Sequence, residues 1–131
     1  MLRGKEIISG ILTDFENFKQ LELIFPENYF YILSEESNKR EPFYKIHINY
    51  LLKKMFPENA YEAGQLLDFP SGDMFWAKIE AIYQIFEITI DDKIPNEEGQ
   101  VDCTIMHGIE RVWLYIVKLN GYYYKKIFMQ P

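Results

Sequence analysis

The sequence predicts a single α/β domain with a small mixed sheet and about four helices, and three observations support this fold class. Apolar residues make up 48% and aromatic residues 17% of the 131 residues, so the chain can bury a core without disulfides or metals. Segments with apolar residues at helical spacing alternate with short β-prone runs, as in mixed α/β proteins. The length is that of one domain, which is therefore expected to span residues 1–131.

The first half of the chain contains two predicted helices. Both rest on apolar side chains that recur three and four residues apart. Between them lies an apolar run that Pro26 ends, as expected of a short buried strand. In chain order, the predictions are a helix at 5–18, a strand at 21–25, a short strand at 29–33 that either extends the previous one or stands apart, a surface loop at 34–42 and a helix at 44–56.

The second half of the chain is expected to contain the longest helix. Gly121 stands just past its last periodic residue, where a glycine commonly ends a helix. In chain order, the predictions are two short strand pieces around a tight turn at 66–76, a helix at 78–86, a loop at 87–96 with a candidate strand at 88–90, a helix at 101–120 and a closing strand at 122–129.

Charge and cysteine content exclude some functions and indicate a compartment. The formal net charge is −6, which disfavours sequence-independent nucleic-acid binding because such binding needs clustered Lys and Arg. Cys103 is the single cysteine, so no intramolecular disulfide forms, and this fits a reducing cytoplasm. No apolar run has the length of a signal peptide or of a spanning helix. We expect a soluble cytoplasmic protein, with at most peripheral contact at the inner face of a membrane.

The first motif is the segment 69–78, Phe-Pro-Ser-Gly-Asp-Met-Phe-Trp-Ala-Lys. Gly72 can adopt a positive φ and lets a ligand approach the backbone. In an extended segment Phe75 and Trp76 point to opposite faces, so one can pack inward while the other lines a cleft. Aromatic faces stack on sugars, and Asp73 can accept hydrogen bonds from sugar hydroxyls. The alternative is a strand with core aromatics and a turn glycine, and residue types alone favour this alternative.

The second motif is the segment 97–111, in which an acidic loop leads into a helix. His107, Glu110 and Arg111 are three and four residues apart, so they share one face of that helix. In one interpretation Asp102 is a general base and His107 contacts a ligand or a metal. In the other, Asp102 caps the helix and the remaining three form a buried polar cluster. Residue chemistry alone favours the second interpretation.

Other polar residues are weaker candidates. Asp91 and Asp92 follow a β-prone run and have the oxygen ligands that Mg²⁺ or Mn²⁺ prefer, but acidic pairs are also common in loops. His47 lies on a predicted helix and is interpreted as structural. Cys103 has no evident base beside it and is not interpreted as a nucleophile. The sequence therefore assigns no metal site.

The two motifs together resemble the rhamnan synthesis protein F family of bacterial polysaccharide assembly. The pattern of that family runs F-P-A-G-x-M-F-W-A-R and then, after a linker, E-x-G-Q-x-D-G-T-x-x-H-A-x-E-R. The strand at 21–26 and the Gly-Tyr-Tyr segment at 121–123 are also similar to the family, so the resemblance covers most of the chain. The chain departs from the pattern at Asp73, where Ser or Thr is usual, at Cys103, where Gly is usual, and at Gly108, where Ala is usual.

The resemblance implies a glycosyltransferase with a nucleotide-sugar-binding, GT-A-like fold, of which this chain resembles the C-terminal, acceptor-side half. By that analogy Asp102 is the base that deprotonates an acceptor hydroxyl. The implied acceptor-side residues are Gly72, Asp73, Trp76, His107, Glu110 and Arg111. The implied process is the synthesis of a cell-wall, capsular or O-antigen polysaccharide of the lipopolysaccharide type.

The resemblance also implies partners. A half-sheet leaves an unpaired edge, so we expect a homodimer or a separate donor-binding chain, together with a glycan acceptor and no nucleic acid. Mn²⁺ or Mg²⁺ with a nucleotide sugar is expected only where a partner completes a donor site. The alternative function is a non-catalytic module that binds glycans or proteins, or a truncated remnant that lacks the donor-binding half.

Overall fold

A computed structural model describes residues 2–27, 35–59, 68–90 and 104–127. Within these ranges the chain forms three α-helices and a three-stranded mixed sheet, which confirms the α/β class and the small mixed sheet. In chain order the elements are α1 (Leu2–Asn17), β1 (Leu21–Pro26), α2 (Glu35–Met55), a 3₁₀ turn (Ser71–Asp73), β2 (Trp76–Ala77), two further 3₁₀ turns (Ile79–Ala81 and Tyr83–Phe86), α3 (Ile105–Leu119) and β3 (Tyr123–Ile127).

The sheet has the order β2-β1-β3, so β1 lies in the centre. It runs antiparallel to β2 and parallel to β3. Its register with β3 contains a bulge, because Leu21 lies opposite Tyr123 and Leu23 lies opposite Tyr124. Glu22 is therefore an extra residue in β1, without a partner in the β3 register. Such a bulge locally redirects side chains, and it places a carboxyl in an otherwise apolar strand.

The helices cover both faces of the sheet. Leu23 and Phe25 of β1 belong to the main core, with apolar residues of α2 and α3. Ile24 and Leu21 pack against Ile11 of α1 in a second, smaller core. The fully buried main-core residues of α2 and α3 include Ile48, Leu51, Val112, Leu114, Ile116 and Val117. The apolar stripe predicted for α2 thus packs against α3, and α3 in turn contacts β1 and β3 of the sheet. Among the described helices α2, with 21 residues, is the longest and α3 has 15, so the prediction that the second half contains the longest helix is wrong.

The C-terminal end of α3 confirms the role predicted for Gly121. This residue has φ 86°, a left-handed conformation that glycine adopts without steric cost. Its N–H donates to the Lys118 carbonyl at 3.0 Å, and the Tyr122 N–H donates to the Val117 carbonyl at 3.0 Å. These two bonds form a Schellman motif, which ends α3 and turns the chain into β3.

The loop predicted at 34–42 is wrong, because α2 begins at Glu35 and contains Pro42. Polar composition indicated a loop, but the exposed face of a helix is polar as well. A proline removes one helical hydrogen bond without necessarily ending the helix. The short strand predicted at 29–33 and residues 128–129 of the closing strand lie outside the described residues.

The helix predicted at 78–86 is also wrong, since the segment forms two 3₁₀ turns. Asn120 accounts for part of the difference, because its Nδ2 donates to the Ala81 carbonyl at 2.9 Å and to Gln84 Oε1 at 2.8 Å. Gln84 returns a bond from its Nε2 to Asn120 Oδ1 at 2.6 Å. The candidate strand at 88–90 and the strand piece before the turn, as far as 68–70 describe it, are not strands.

Across the described ranges, no helix combines the length and the apolar character needed to cross a membrane.

Candidate functional site

The two sequence motifs meet where the turn Ser71–Asp73 contacts α3. The Gly72 N–H donates to Glu110 Oε2 at 3.0 Å. The Trp113 Nε1–H donates to Asp73 Oδ1 at 2.8 Å. We call these four residues the turn–α3 junction. The structure therefore brings together three of the predicted site residues, and it adds Trp113, which the sequence did not suggest.

The turn itself has an unusual backbone. Gly72 has φ 69° and Asp73 has φ 56°, so two consecutive residues are left-handed. Glycine adopts this conformation freely, and Asp is among the few other residues that tolerate it. A Cβ added to Gly72 would meet nothing within 4 Å, so open space faces its Cα. The positive φ predicted for Gly72 is confirmed, and its backbone is accessible to a ligand.

The environment of Asp73 changes its acidity. Burial raises the pKa of its carboxyl above the ordinary aspartate value, and the negative charge of Glu110 adds to the rise. The hydrogen bond from Trp113 acts in the opposite direction. Asp73 thus takes up a proton more readily than an exposed aspartate, while its Oδ1 already serves as an acceptor.

Arg111 joins three segments of the chain. Its guanidinium carbon lies 3.9 Å from the centre of the Tyr44 ring of α2 and 4.3 Å from the centre of the Phe69 ring, which precedes the turn. Its Nη1 donates to Glu110 Oε1 at 2.9 Å and to the His107 carbonyl at 3.2 Å. The Arg111 side chain is only 11% exposed. These contacts favour the buried polar cluster over direct ligand binding for Arg111.

His107 acts at the start of α3. The helix has Thr104 as its N-cap, so the prediction that Asp102 caps the helix is wrong. The Thr104 N–H donates to His107 Nδ1 at 3.3 Å, and the Thr104 Oγ1 lies 3.1 Å from the same nitrogen. Because Nδ1 accepts, the neutral ring carries its proton on Nε2. Asp102 itself lies outside the described residues, two positions before Thr104 in the sequence.

Trp76 lies apart from the junction. It pairs with Ile24 of β1, and residues directly opposite in a sheet share a face. Ile24 packs against Ile11, so Trp76 lies on the α1 side, where it is 45% exposed. Phe75 packs instead against Trp113, with 4.9 Å between ring centres. The alternation predicted for Phe75 and Trp76 is confirmed, and it places Trp76 on the side of the sheet opposite to the contact between Phe75 and Trp113.

The model of the rhamnan synthesis protein F family matches residues 2–122 of this chain. The chain belongs to that family. It is also similar to a protein named uncharacterized protein WxcX in two strains of Xanthomonas campestris pv. campestris, with 41% identity over 44 residues. This alignment covers 33% of the chain and 6% of the length of these relatives. No solved structure matches the chain.

The described residues do not form a metal site. No three His, Cys, Asp or Glu side chains within the described ranges come together so as to hold a metal ion. Asp91, Asp92 and Cys103 lie outside those ranges. His47 packs against α3, since a Cβ added to Gly108 would lie 2.5 Å from the His47 Cβ. This close approach of two helices supports the structural role interpreted for His47.

Sequence reasoning missed three aromatic residues that organise the site. Tyr44 and Phe69 are 4% and 7% exposed and enclose the Arg111 guanidinium. Trp113 is 8% exposed and contacts the turn through its indole N–H. One signal was present, because Trp113 lies three residues after Glu110 and so on a neighbouring part of the helix surface. Nothing local links Tyr44 or Phe69 to Arg111: the packing of α2 on α3 brings Tyr44 to it, and the contact of the turn with α3 brings Phe69.

Proposed function

We propose that this protein is the acceptor-side part of a glycosyltransferase that acts in bacterial polysaccharide synthesis. Membership of a family named for rhamnan synthesis connects the chain with polysaccharide biosynthesis. The finer proposal is that the chain transfers a sugar from a nucleotide-sugar donor to a glycan acceptor, within a GT-A-like fold that another chain or a second copy completes. Cell-wall, capsular and O-antigen polysaccharides are the proposed products.

The observation that carries the proposal is the turn–α3 junction. Two motifs that are separated by 18 residues in the sequence are tied together by the bond Gly72–Glu110, and the bond Asp73–Trp113 lies just beyond the second motif. The left-handed turn leaves open space at Gly72, and Asp73 offers a carboxyl beside it. A carboxyl and an accessible backbone are suitable partners for sugar hydroxyls. The acidic segment with Asp102 leads directly into the helix that contacts this turn.

In the proposed reaction Asp102 accepts the proton of an acceptor hydroxyl. The hydroxyl oxygen attacks the anomeric carbon of the donor sugar, the bond from that carbon to the phosphate oxygen breaks, and the nucleoside diphosphate leaves with the bonding electrons. Asp73 accepts a hydrogen bond from a second hydroxyl of the acceptor. Glu110, His107 and Arg111 position the turn and the start of α3 through their bonds within the protein.

The partner supplies the donor site in this proposal. The described residues offer no cluster for Mn²⁺ or Mg²⁺, so we derive no step from a metal on this chain. A homodimer or a separate donor-binding chain is the proposed assembly, at the cytoplasmic face of the membrane. Trp76 is not assigned a role in acceptor binding, because it lies on the α1 side of the sheet.

Replacement of Asp102 in the source organism tests the proposal in the complete assembly. Asp102→Asn keeps the size of the side chain but removes the base, and loss of a general base lowers a rate by about 10²–10⁴-fold. We expect the amount of surface polysaccharide, measured by acid hydrolysis and sugar analysis, to fall as far as in a strain without the protein. Glu58→Gln, at an exposed position away from the site, is the control and should leave the polysaccharide unchanged. Normal polysaccharide in the Asp102→Asn strain would contradict the assigned base.

A non-catalytic glycan-binding module is the second candidate. It is favoured by the internal bonds of Glu110, Arg111 and His107, one of which also uses the Gly72 N–H, so the exposed carboxyl of Asp73 is the junction group that can meet a glycan. Thermal unfolding of the purified chain with a panel of nucleotide sugars, with and without Mn²⁺, separates the two candidates. A midpoint that rises only with one nucleotide sugar and the metal supports the enzyme. Stabilisation by rhamnose oligosaccharides alone, together with normal polysaccharide in the Asp102→Asn strain, supports the binding module.

A further inference from the structure

Glu22 is a buried carboxyl that the proposed function does not use. It is the extra residue of the β1 bulge and is only 1% exposed. Its Oε2 has no hydrogen-bond partner in the part of the chain that the structure describes. A charged carboxylate in such a place loses its hydration without compensation. The burial of Glu22 therefore needs an explanation from its surroundings.

The groups that face Glu22 come from two segments around the bulge. Glu80 lies in the 3₁₀ turn Ile79–Ala81, and Tyr122, which precedes β3, also lies near enough to Glu22 to interact electrostatically. Lys78 is the nearby cation, but its Nζ lies 3.4 Å from the Phe15 carbonyl and 5.8 Å from the centre of the Phe15 ring. Lys78 is thus directed toward α1, and Glu80 is the closest group that can share a hydrogen bond with Glu22.

The backbone fixes the two carboxyls beside each other. The Lys78 N–H donates to the Glu22 carbonyl at 2.9 Å, which extends the β2 pairing to the bulge. Glu80 follows two residues later. Burial first, and then a hydrogen bond with Glu80 and the charge of Glu80, raise the pKa of Glu22 from 4.5, and with the lowering effect of Lys78 included the pKa is about 7. A protonated Glu22 can donate to Glu80, so a single proton satisfies both carboxyls.

We propose that Glu22 and Glu80 share one proton and that this proton holds the Lys78–Ala81 segment against the bulge of β1. When the proton is lost, the buried Glu22 carboxylate faces the negative charge of the exposed Glu80, and the segment is released. The first motif is tied to α3 at Gly72 and Asp73 and to β1 at Lys78. The Glu22–Glu80 pair therefore makes the attachment of the first motif to β1 at Lys78 sensitive to pH. This holds whatever the protein transfers or binds.

The direction of the pH effect follows from the raised pKa. The folded protein binds the proton up to about pH 7, whereas the unfolded chain releases it near pH 4.5. The stabilisation that this group contributes is therefore fully present below pH 4.5 and is lost as the pH rises through about 7. The pKa of Tyr122 is raised, first by the charge of Glu22, so Tyr122 stays neutral throughout this range.

Side-chain carboxyl NMR on the full chain tests the shared proton directly. We expect one carboxyl of the pair to titrate near pH 7, well above an ordinary glutamate. In the Glu80→Gln variant the pKa of Glu22 should fall, because the neighbouring negative charge is gone. Titration of both carboxyls between pH 4 and 5 would overturn the proposal. A Glu22 pKa that stays near 7 in Glu80→Gln would also overturn it, since burial alone would then be the cause.

Amide hydrogen exchange tests the release of the segment. We expect the protection factor of the Lys78 N–H to fall by roughly 10-fold or more between pH 6 and pH 8.5, as one raised pKa allows. Glu22→Gln should abolish this pH dependence, and Glu58→Gln should not. A protection factor for Lys78 that is constant over the range in the unmodified protein would overturn the release. Because this readout requires no transfer or ligand, its result is independent of the proposed function.

Discussion

At the turn–α3 junction the Glu110 carboxylate accepts hydrogen bonds at both oxygens, whereas at the bulge of β1 the Glu22 carboxyl has an oxygen without a partner in the described residues. Glu110 meets Arg111 and the Gly72 N–H, so it is satisfied as an anion. Glu22 meets Glu80, so it is satisfied only when a proton is present. The two regions bury the same kind of side chain, one by charge pairing and the other by protonation.

The difference predicts opposite responses to removing a charge. Loss of Arg111 leaves Glu110 as an anion without its cation, which destabilises the fold. Loss of the Glu22 charge in Glu22→Gln removes a group that opposes folding above neutral pH. A pKa that rises from 4.5 to about 7 corresponds to about 3 kcal/mol, so Glu22→Gln should be more stable than the unmodified protein at pH 8 by up to this amount.

Arg111→Met should produce the largest loss of stability. A small loss would contradict the view that Glu110 is stabilised by its ion pair. Removing one partner of a mostly buried ion pair costs about 3 kcal/mol, and contacts with two aromatic rings add to the loss. Urea denaturation at pH 7 measures the change. Arg111→Lys keeps the charge but not the planar group between Tyr44 and Phe69. Its stability should therefore lie between that of the unmodified protein and that of Arg111→Met. Equal stability of Arg111→Met and the unmodified protein would show that the charge pair contributes nothing.

Gly108→Ala should cause an intermediate loss of stability. It tests the junction region alone, because it displaces α2 relative to α3 and leaves the bulge of β1 unchanged. The new Cβ would lie 2.5 Å from the Cβ of His47, an atom fixed to the backbone of α2. The two helices must separate, which also moves Tyr44 away from Arg111. Overpacking of this kind costs about 2 kcal/mol. The expected loss therefore arises at the contact with His47.

A double-mutant cycle assigns the Gly108 effect to that contact. His47→Gly removes the opposing Cβ, so Gly108→Ala should cost at least about 1 kcal/mol less in the His47→Gly background. Urea denaturation of the four proteins gives the coupling energy. Additive effects would mean that the cost of Gly108→Ala arises elsewhere than at the α2–α3 contact.

The two regions also differ in how far the sequence predicted them. Apolar periodicity located the three helices and β1, and a single glycine marked the end of α3, because these features depend on local rules. The second motif placed Glu110 and Arg111 on one helix, and their proximity in the structure is a local consequence. The contacts of Arg111 with two aromatic rings do not follow from the local sequence, because Tyr44 and Phe69 come from distant parts of the chain.

The bulge region was least predictable. An apolar run with one Glu indicated a buried strand, but nothing in the run showed that Glu22 would be an extra residue opposite β3. The segment after β2 was predicted as a helix from its apolar content. In the structure Asn120, which caps the C-terminal end of α3, donates hydrogen bonds to the Ala81 carbonyl and to Gln84. These tertiary contacts override the local preference for a helix. Tertiary hydrogen bonds of this kind leave no signal in a single sequence.

Substitutions of Asp73 should give the smallest effect and test how firmly the turn is held. Asp73→Ala removes the acceptor of the Trp113 N–H and places Ala at φ 56°, so we expect a loss of about 1–2 kcal/mol. Asp73→Asn keeps an acceptor oxygen and tolerates the backbone, so it should be close to neutral at pH 7. Urea denaturation with tryptophan fluorescence follows both variants.

The pH dependence of stability in the Asp73→Asn variant distinguishes the junction from the bulge. Burial raises the pKa of Asp73, so its ionisation opposes folding as pH rises through the folded pKa. Asp73→Asn should therefore change the pH dependence of stability from the ordinary aspartate range upward, whereas Glu22→Gln changes it between about pH 4.5 and pH 7. If Asp73→Asn instead removed the dependence near neutral pH, the titrating group would lie at the junction, and the contrast between the two regions would be wrong.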